Sequence, residues 1–209
     1  MCGLSAKSRR ILTHERARGS RLAGSDVRAS GVRHVHTNGA ICAAVTLTVT
    51  EDPPDRPGWV SETIRLVARG TDEWRARLLA RVEHASDADL ASGSDDDWGI
   101  GQVAVHLLIV ERGVTLIALR LAQGQEGGST GQPRPAASAV TRPGISTLAD
   151  KAAAALRRLR AEFPAEPDTG ATARHPYYGE LNCFGWLLTL PNHYDAHLRA
   201  LEGGTVTAI

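Results

Sequence analysis

The stretch Trp98-Gly-Ile-Gly-Gln-Val-Ala-Val-His106-Leu-Leu-Ile-Val-Glu-Arg112 opens the segment that decides the fold. Apolar side chains recur at Val103, Leu107, Val110, Val114, Ile117 and Leu121, steps of three and four that place one greasy stripe on an α-helix. Asp95, Asp96 and Asp97 precede it, where negative charge suits the positive end of a helix dipole. Gly99 is then the N-cap, and Gln102 stands three residues on, the capping-box position. The same spacing puts His106 in phase with Val103, Val110 and Ile117, on the face that turns inward.

Three more segments carry the helical period. Upstream, Ile64, Val67, Thr71, Trp74, Leu78 and Val82 predict a helix over about 60–83, followed by a polar, acidic connection over 86–97. Downstream, a Gly/Pro/Ser-rich loop spans 123–144. A helix over 148–163 follows, with Thr147 as its cap and Leu148, Ala152, Ala155, Leu159 and Phe163 as its buried stripe. The last helix is predicted over 179–202, closing before Gly203-Gly204. Four amphipathic helices without a convincing strand pattern predict an all-α four-helix bundle over 55–203, with a short C-terminal tail at 204–209.

The first 54 residues read differently. They are rich in Arg, Ser, Gly and Ala and lack a sustained apolar period, which predicts a disordered tail. Val49-Thr-Glu-Asp-Pro-Pro makes a plausible alternative start, so residues 1–48 are expected to be dispensable or an over-extended reading of the gene.

Composition limits the function classes. With 209 residues, 42% of them apolar and 22% charged, the chain can bury a core. The net charge of +1 hides an asymmetry: residues 1–50 hold eight basic and two acidic groups, so the remainder is net acidic. An acidic body argues against nucleic acid as partner, since phosphate binding needs a cationic face. Ile100–Ala122 is the longest apolar run, but His106, Glu111, Arg112 and Arg120 interrupt it, so no membrane association is expected. Cys2, Cys42 and Cys183 form neither a disulfide framework nor a zinc site, and a reducing cytoplasm is the simplest compartment.

The chemistry centres on histidine. His193 and His197 lie one turn apart on the last helix, so both imidazoles can reach one ion, and His106 can add a third nitrogen across the core. Three neutral imidazoles suit Zn²⁺, Ni²⁺ or Fe²⁺ and leave a coordination position open for water or a small-molecule substrate. A lone inward-facing His is more often a hydrogen-bonded core residue, which is the alternative reading. A zinc-protease assignment fails, because His193-Tyr-Asp-Ala-His197 lacks the Glu that must follow the first His. Asp195 lies about 200° round the helix from His193 and is expected to face water.

Neighbouring polar residues are candidates for a supporting shell. On an ideal helix Asn182, Trp186 and Thr189 share the face of His193 and His197, so Asn182 and Thr189 can orient a substrate or a ligand, or act as cap and back-bonding residues. Gln102, one turn before His106, has the same two readings. Trp186 and Cys183 are expected to pack in the core, His175, Tyr177 and Tyr178 to shape either the pocket rim or the helix entry, and Glu111 with Arg112 to form a surface or inter-helix charge pair.

The Trp98–Arg112 stretch, the loop His175-Pro-Tyr-Tyr-Gly179-Glu-Leu, the following Trp186-Leu-Leu and the His193-to-His197 pair together resemble the landmarks of the DinB/YfiT-like superfamily. The resemblance covers roughly 55–202, with the landmarks in the same order. It implies a four-helix bundle that binds a divalent metal through one His of the second helix and a His pair of the last, here His106, His193 and His197. It also implies, for several bacterial branches, transferases or isomerases that use a low-molecular-weight thiol such as mycothiol, bacillithiol or glutathione. Other readings are a non-catalytic metal-binding stress-response bundle, such as a homodimer packing through an exposed helix face, and a metal-activated hydrolase. Two positions depart from the family pattern. Gly99 stands where Ser or Thr is frequent, and Pro191 removes the backbone hydrogen bond to Leu187 and predicts a kink just before the His pair.

Overall fold

The structure, a computed structural model, describes residues 57–131 and 133–203. The predicted N-terminal tail over 1–54 and C-terminal tail over 204–209 lie outside the described residues. Four long helices make the bundle: α1 (Gly58–His84), α3 (Ile100–Ala122), α4 (Arg142–Glu162) and α5 (Cys183–Ala200). Between them lie a one-turn α2 (Asp87–Leu90), a 3₁₀ turn (Ala137–Ala139) and an antiparallel hairpin of β1 (Ala173–His175) with β2 (Gly179–Leu181). Ala173 pairs with Leu181 and His175 with Gly179.

α3 is the central helix and packs against α1, α4 and α5. It is long and apolar enough to cross a bilayer, but 67% of its most apolar window is buried inside the protein. The core has two parts. At one end Val60, Ile64, Ile117, Leu121, Leu159, Phe163 and Trp186 pack together; at the other Leu78, Leu90, Leu107, Leu108, Ile145 and Tyr194 do so. Between these parts along α1 and α3 sit Thr71, Arg75, Glu111 and Thr115, all buried. A polar layer therefore crosses the middle of the bundle.

Local chemistry explains where the elements differ from the sequence prediction. The connection over 86–97 contains α2 because Ser86 accepts the Asp89 N–H at 3.1 Å while the Asp89 carboxylate accepts the Ser86 N–H at 3.0 Å, a complete capping box. α4 begins at Arg142 rather than 148, so the loop is shorter than expected. Thr141, not Thr147, is its N-cap and accepts the Gly144 N–H at 3.2 Å; Pro143 is tolerated because the first turn has no intrahelical use for its N–H. Arg142 donates to the carbonyls of Val82 and Ala85 at 2.7 Å each, closing the C-terminal end of α1.

α5, in contrast, begins later than predicted. Residues 179–181 are the second strand of the hairpin, and Asn182 caps the helix by accepting the Gly185 N–H at 3.0 Å. The helix then continues through Pro191 to Ala200. At the start of α3, Gln102 Oε1 accepts the Gly99 N–H at 3.1 Å, as the capping-box spacing predicts. Glycine at 99 has a steric reason, because a Cβ there would lie 2.3 Å from the Ser92 carbonyl oxygen. Gly101 is under the same constraint from the Leu90 carbonyl, at 2.0 Å.

Candidate metal centre

α3 brings His106 and α5 brings His193 and His197 to one point, where their ligating nitrogens all lie within 4.8 Å of one another. The ring centroids are 5.1 Å apart for His106 and His193, 4.9 Å for His106 and His197, and 4.8 Å for the α5 pair. The one-turn spacing of the α5 pair therefore does what it should, and Pro191 does not turn the rings away.

Hydrogen bonding fixes the tautomer of His106. Its Nδ1 lies 2.9 Å from the Pro133 carbonyl, which can only accept, so Nδ1 carries the hydrogen and Nε2 is left with a lone pair. That Nε2 faces His193 Nε2 at 3.0 Å. A carbonyl behind a ligating imidazole is the usual way to orient such a ring and raise its basicity.

Burial keeps the cluster neutral. Desolvation, followed by the neighbouring imidazoles His197 and His106, pushes His193 down to about 3. Desolvation and then His106 push His197 down to about 4, and desolvation lowers His106 against the opposing pull of Pro133. Neutral imidazole is the form that donates to a metal. Nitrogens bound to one tetrahedral ion at about 2.0–2.1 Å lie roughly 3.3 Å apart, so the donor set and its spacing fit a divalent cation.

The cluster lines a cavity of about 170 Å³ that also receives Trp98, Thr130, Arg134, His175, Tyr177 and Thr189. The Trp98 ring stands edge-on to His106 at 5.0 Å and stacks over His197 at 6.2 Å. His175 lies on the hairpin, its ring 4.9 Å from that of Trp186, and its Nδ1 accepts the Tyr177 N–H at 3.2 Å. The other ring nitrogen of the neutral His175 then carries the hydrogen. No carboxylate lines this cavity among the described residues.

The supporting candidates separate. Asn182 is spent on the α5 cap and does not line the cavity. Thr189 does line it, but its hydroxyl donates to the Trp186 carbonyl at 2.7 Å. Gln102 is 1% exposed and lies outside the lining, bonded to Gly99 N and to the Ser94 and Pro135 carbonyls. It acts on the site through the loop that His106 also holds. Trp186 and Cys183 are buried in the core, and Asp195 pairs with Arg199 on the outside.

One expectation is corrected in part. Glu111 does not pair with Arg112 at the surface: it is fully buried, while Arg112 is exposed, and the Glu111 charge pair is the inter-helix one, with Arg75 of α1. Its carboxylate accepts from Arg75, which also binds Asp72, and from the Tyr194 hydroxyl at 2.5 Å. Tyr194 directly follows His193, so this buried contact ties the rotation of α5 to α3. Arg134 and Trp98 were not read as site residues from the sequence.

A bundle with three imidazoles from its second and last long helices converging at one pocket defines a class of helical proteins equipped to hold a metal ion. The family model described as the DinB superfamily matches residues 71–201, and the chain belongs to that superfamily. The chain is also similar to the crystal structure of TT2238, a four-helix bundle protein, with a TM-score of 0.51 and 26% sequence identity over 68% of this chain and 99% of that one. No curated protein matches the chain.

Proposed function

We propose that this protein is a divalent-metal-dependent enzyme that activates the sulfur of a low-molecular-weight thiol, such as mycothiol, bacillithiol or glutathione, for transfer to a small electrophile in the cytoplasm. The observation that carries the reading is the convergence of the His106, His193 and His197 nitrogens, within 4.8 Å, in a cavity that no carboxylate of the described residues lines. A bound Zn²⁺, Ni²⁺ or Fe²⁺ supplies the positive charge that lowers the pKa of a thiol. In the net reaction the S–H bond is replaced by a bond from sulfur to the electrophilic carbon, and the proton leaves with the departing group.

The protein's own groups position this chemistry. His106 is oriented by Pro133, Trp98 covers two of the imidazoles, and His175 supplies a neutral N–H donor to the same cavity. Metal-activated hydrolysis is less well supported, because the cavity holds no carboxylate to accept a proton from water.

Elemental analysis of the purified protein, combined with turnover assays across the three thiols, tests the reading. The expected result is about one equivalent of divalent metal, lost on His106→Ala with the helical circular dichroism unchanged, and thiol-dependent consumption of an electrophile. Metal without turnover in any thiol assay would point instead to a non-catalytic metal-binding bundle.

A further inference from the structure

The chain between α3 and α4 contributes Pro133 and Arg134 to the imidazole cavity, and it is fastened on both sides of the arginine. His106 Nδ1 donates to the Pro133 carbonyl at 2.9 Å, and Gln102 Nε2 donates to the Pro135 carbonyl at 3.0 Å. Both anchors come from buried positions in the first two turns of α3. The flanking prolines also restrict the backbone. A loop arginine normally loses backbone freedom when it binds a ligand; here that ordering is already present, which favours binding through pre-organisation.

Its charge is unanswered. Arg134 makes no ion pair with any described residue, and among the described residues it is the only permanently charged side chain lining the cavity, whose other lining groups are imidazoles, aromatics, threonines, prolines, a glycine and a valine. Three neutral imidazoles do not offset the charge of a divalent ion. Arg134 adds a permanent positive charge to a cavity whose lining, among the described residues, holds no carboxylate. Asp95, Asp96 and Asp97 belong to a neighbouring cavity, which shares Trp98, Arg134 and His197 with this one. They make no ion pair with the guanidinium.

We infer that Arg134 is the anion-binding residue of this site, and that the natural ligand carries a carboxylate in addition to the atom presented to the imidazoles, as glutathione and bacillithiol do and mycothiol does not. A guanidinium is matched to a carboxylate because it offers two parallel N–H donors. A short mercapto acid is a suitable probe of the cavity, which measures about 170 Å³. The identity of the first group as sulfur rests on the proposed function; the selection of an anion by Arg134 does not.

Calorimetric and spectroscopic titrations of the full-length protein loaded with Co²⁺ test both parts, using mercaptopropionate, mercaptoethanol and propionate. The wild type is expected to bind mercaptopropionate about tenfold or more tightly than mercaptoethanol, the worth of one charge-assisted contact. Arg134→Ala is expected to weaken mercaptopropionate several-fold more than mercaptoethanol and so to cut that advantage, while Arg134→Lys retains part of it. Because the cation attracts any anion, the loss in Arg134→Ala isolates the arginine's share. Arg134 is exposed, so these variants keep the fold. If both thiols bind but the acid has no advantage, or keeps it in Arg134→Ala, the inference is overturned and the thiol reading survives. If neither thiol gives a sulfur-to-cobalt band while propionate binds in an Arg134-dependent way, the thiol reading fails and the anion site stands. Binding of none of the three overturns both.

Discussion

Glu111 has no exposed surface, and a carboxylate in that position is tenable only because Arg75 and Tyr194 both donate to it. Removing it strands an arginine and a phenol. Glu111→Ala is therefore expected to lower stability by about 3 kcal/mol, the lower end of the range for breaking a buried pair, since Arg75 keeps Asp72. Urea denaturation measures this directly. Burial pushes the Glu111 carboxyl above its ordinary value, although Arg75 and Tyr194 pull it down. The folded protein thus holds that proton more tightly than the unfolded chain, so the contribution is full below the unfolded pKa and is lost as pH rises through the raised folded value. The stability difference between wild type and the non-titrating Glu111→Gln is expected to shift against the wild type across that window; a pH-independent difference would refute the assignment. This residue was legible and misread. It lies four positions after Leu107 and three before Val114, in phase with the buried stripe, but the adjacent Arg112 offered a nearer partner. Neighbours on a helix diverge by about 100°, so the two cannot share a face. His106, His193 and His197 were easier to read because helical spacing alone brings them to the interior. Arg134 had no such signal: its place depends on two hydrogen bonds between a loop and the side chains of another element.

At the scale of elements, apolar periodicity located all four long helices, and the misplaced boundaries are those set by caps. α4 was started late because Pro143-Gly144 looks like a breaker, whereas Thr141 accepting the Gly144 N–H turns the same residues into a first turn. α5 was started early because Gly179-Glu-Leu contains no strong strand signal; its strand pairing depends on Ala173 and His175 across the turn. Asn182 shows the consequence for function. Helical phase aligns it with the imidazoles of α5, yet it stands at the end of the helix with its side-chain oxygen committed to Gly185 N. Asn182→Ala is therefore expected to cost about 1 kcal/mol, as loss of an N-cap does, while leaving the metal stoichiometry unchanged. Thermal melts and metal analysis of the same sample check both halves. A fall in metal content without a fall in stability would return Asn182 to the site.

For the molecule as a whole, the core and the metal centre are separable in a way that governs how each responds to change. Among the described residues the core runs from Val60 to Leu201 and includes none of the three imidazoles. The centre, in contrast, joins α3 to α5 through ligands 87 residues apart in sequence. A cation held only by the folded form stabilises it by mass action, about 2.7 kcal/mol when free metal stands at 100 times its dissociation constant. Stripping the metal with a chelator is expected to lower the melting temperature without loss of helical circular dichroism, because both core clusters persist. Restoring the metal should reverse the shift. In His106→Ala the bundle is expected to melt at one temperature with or without added metal, because the two remaining imidazoles come from the same helix and no longer bridge α3 and α5. Retention of the full metal-dependent shift in that variant would mean that the cation binds elsewhere.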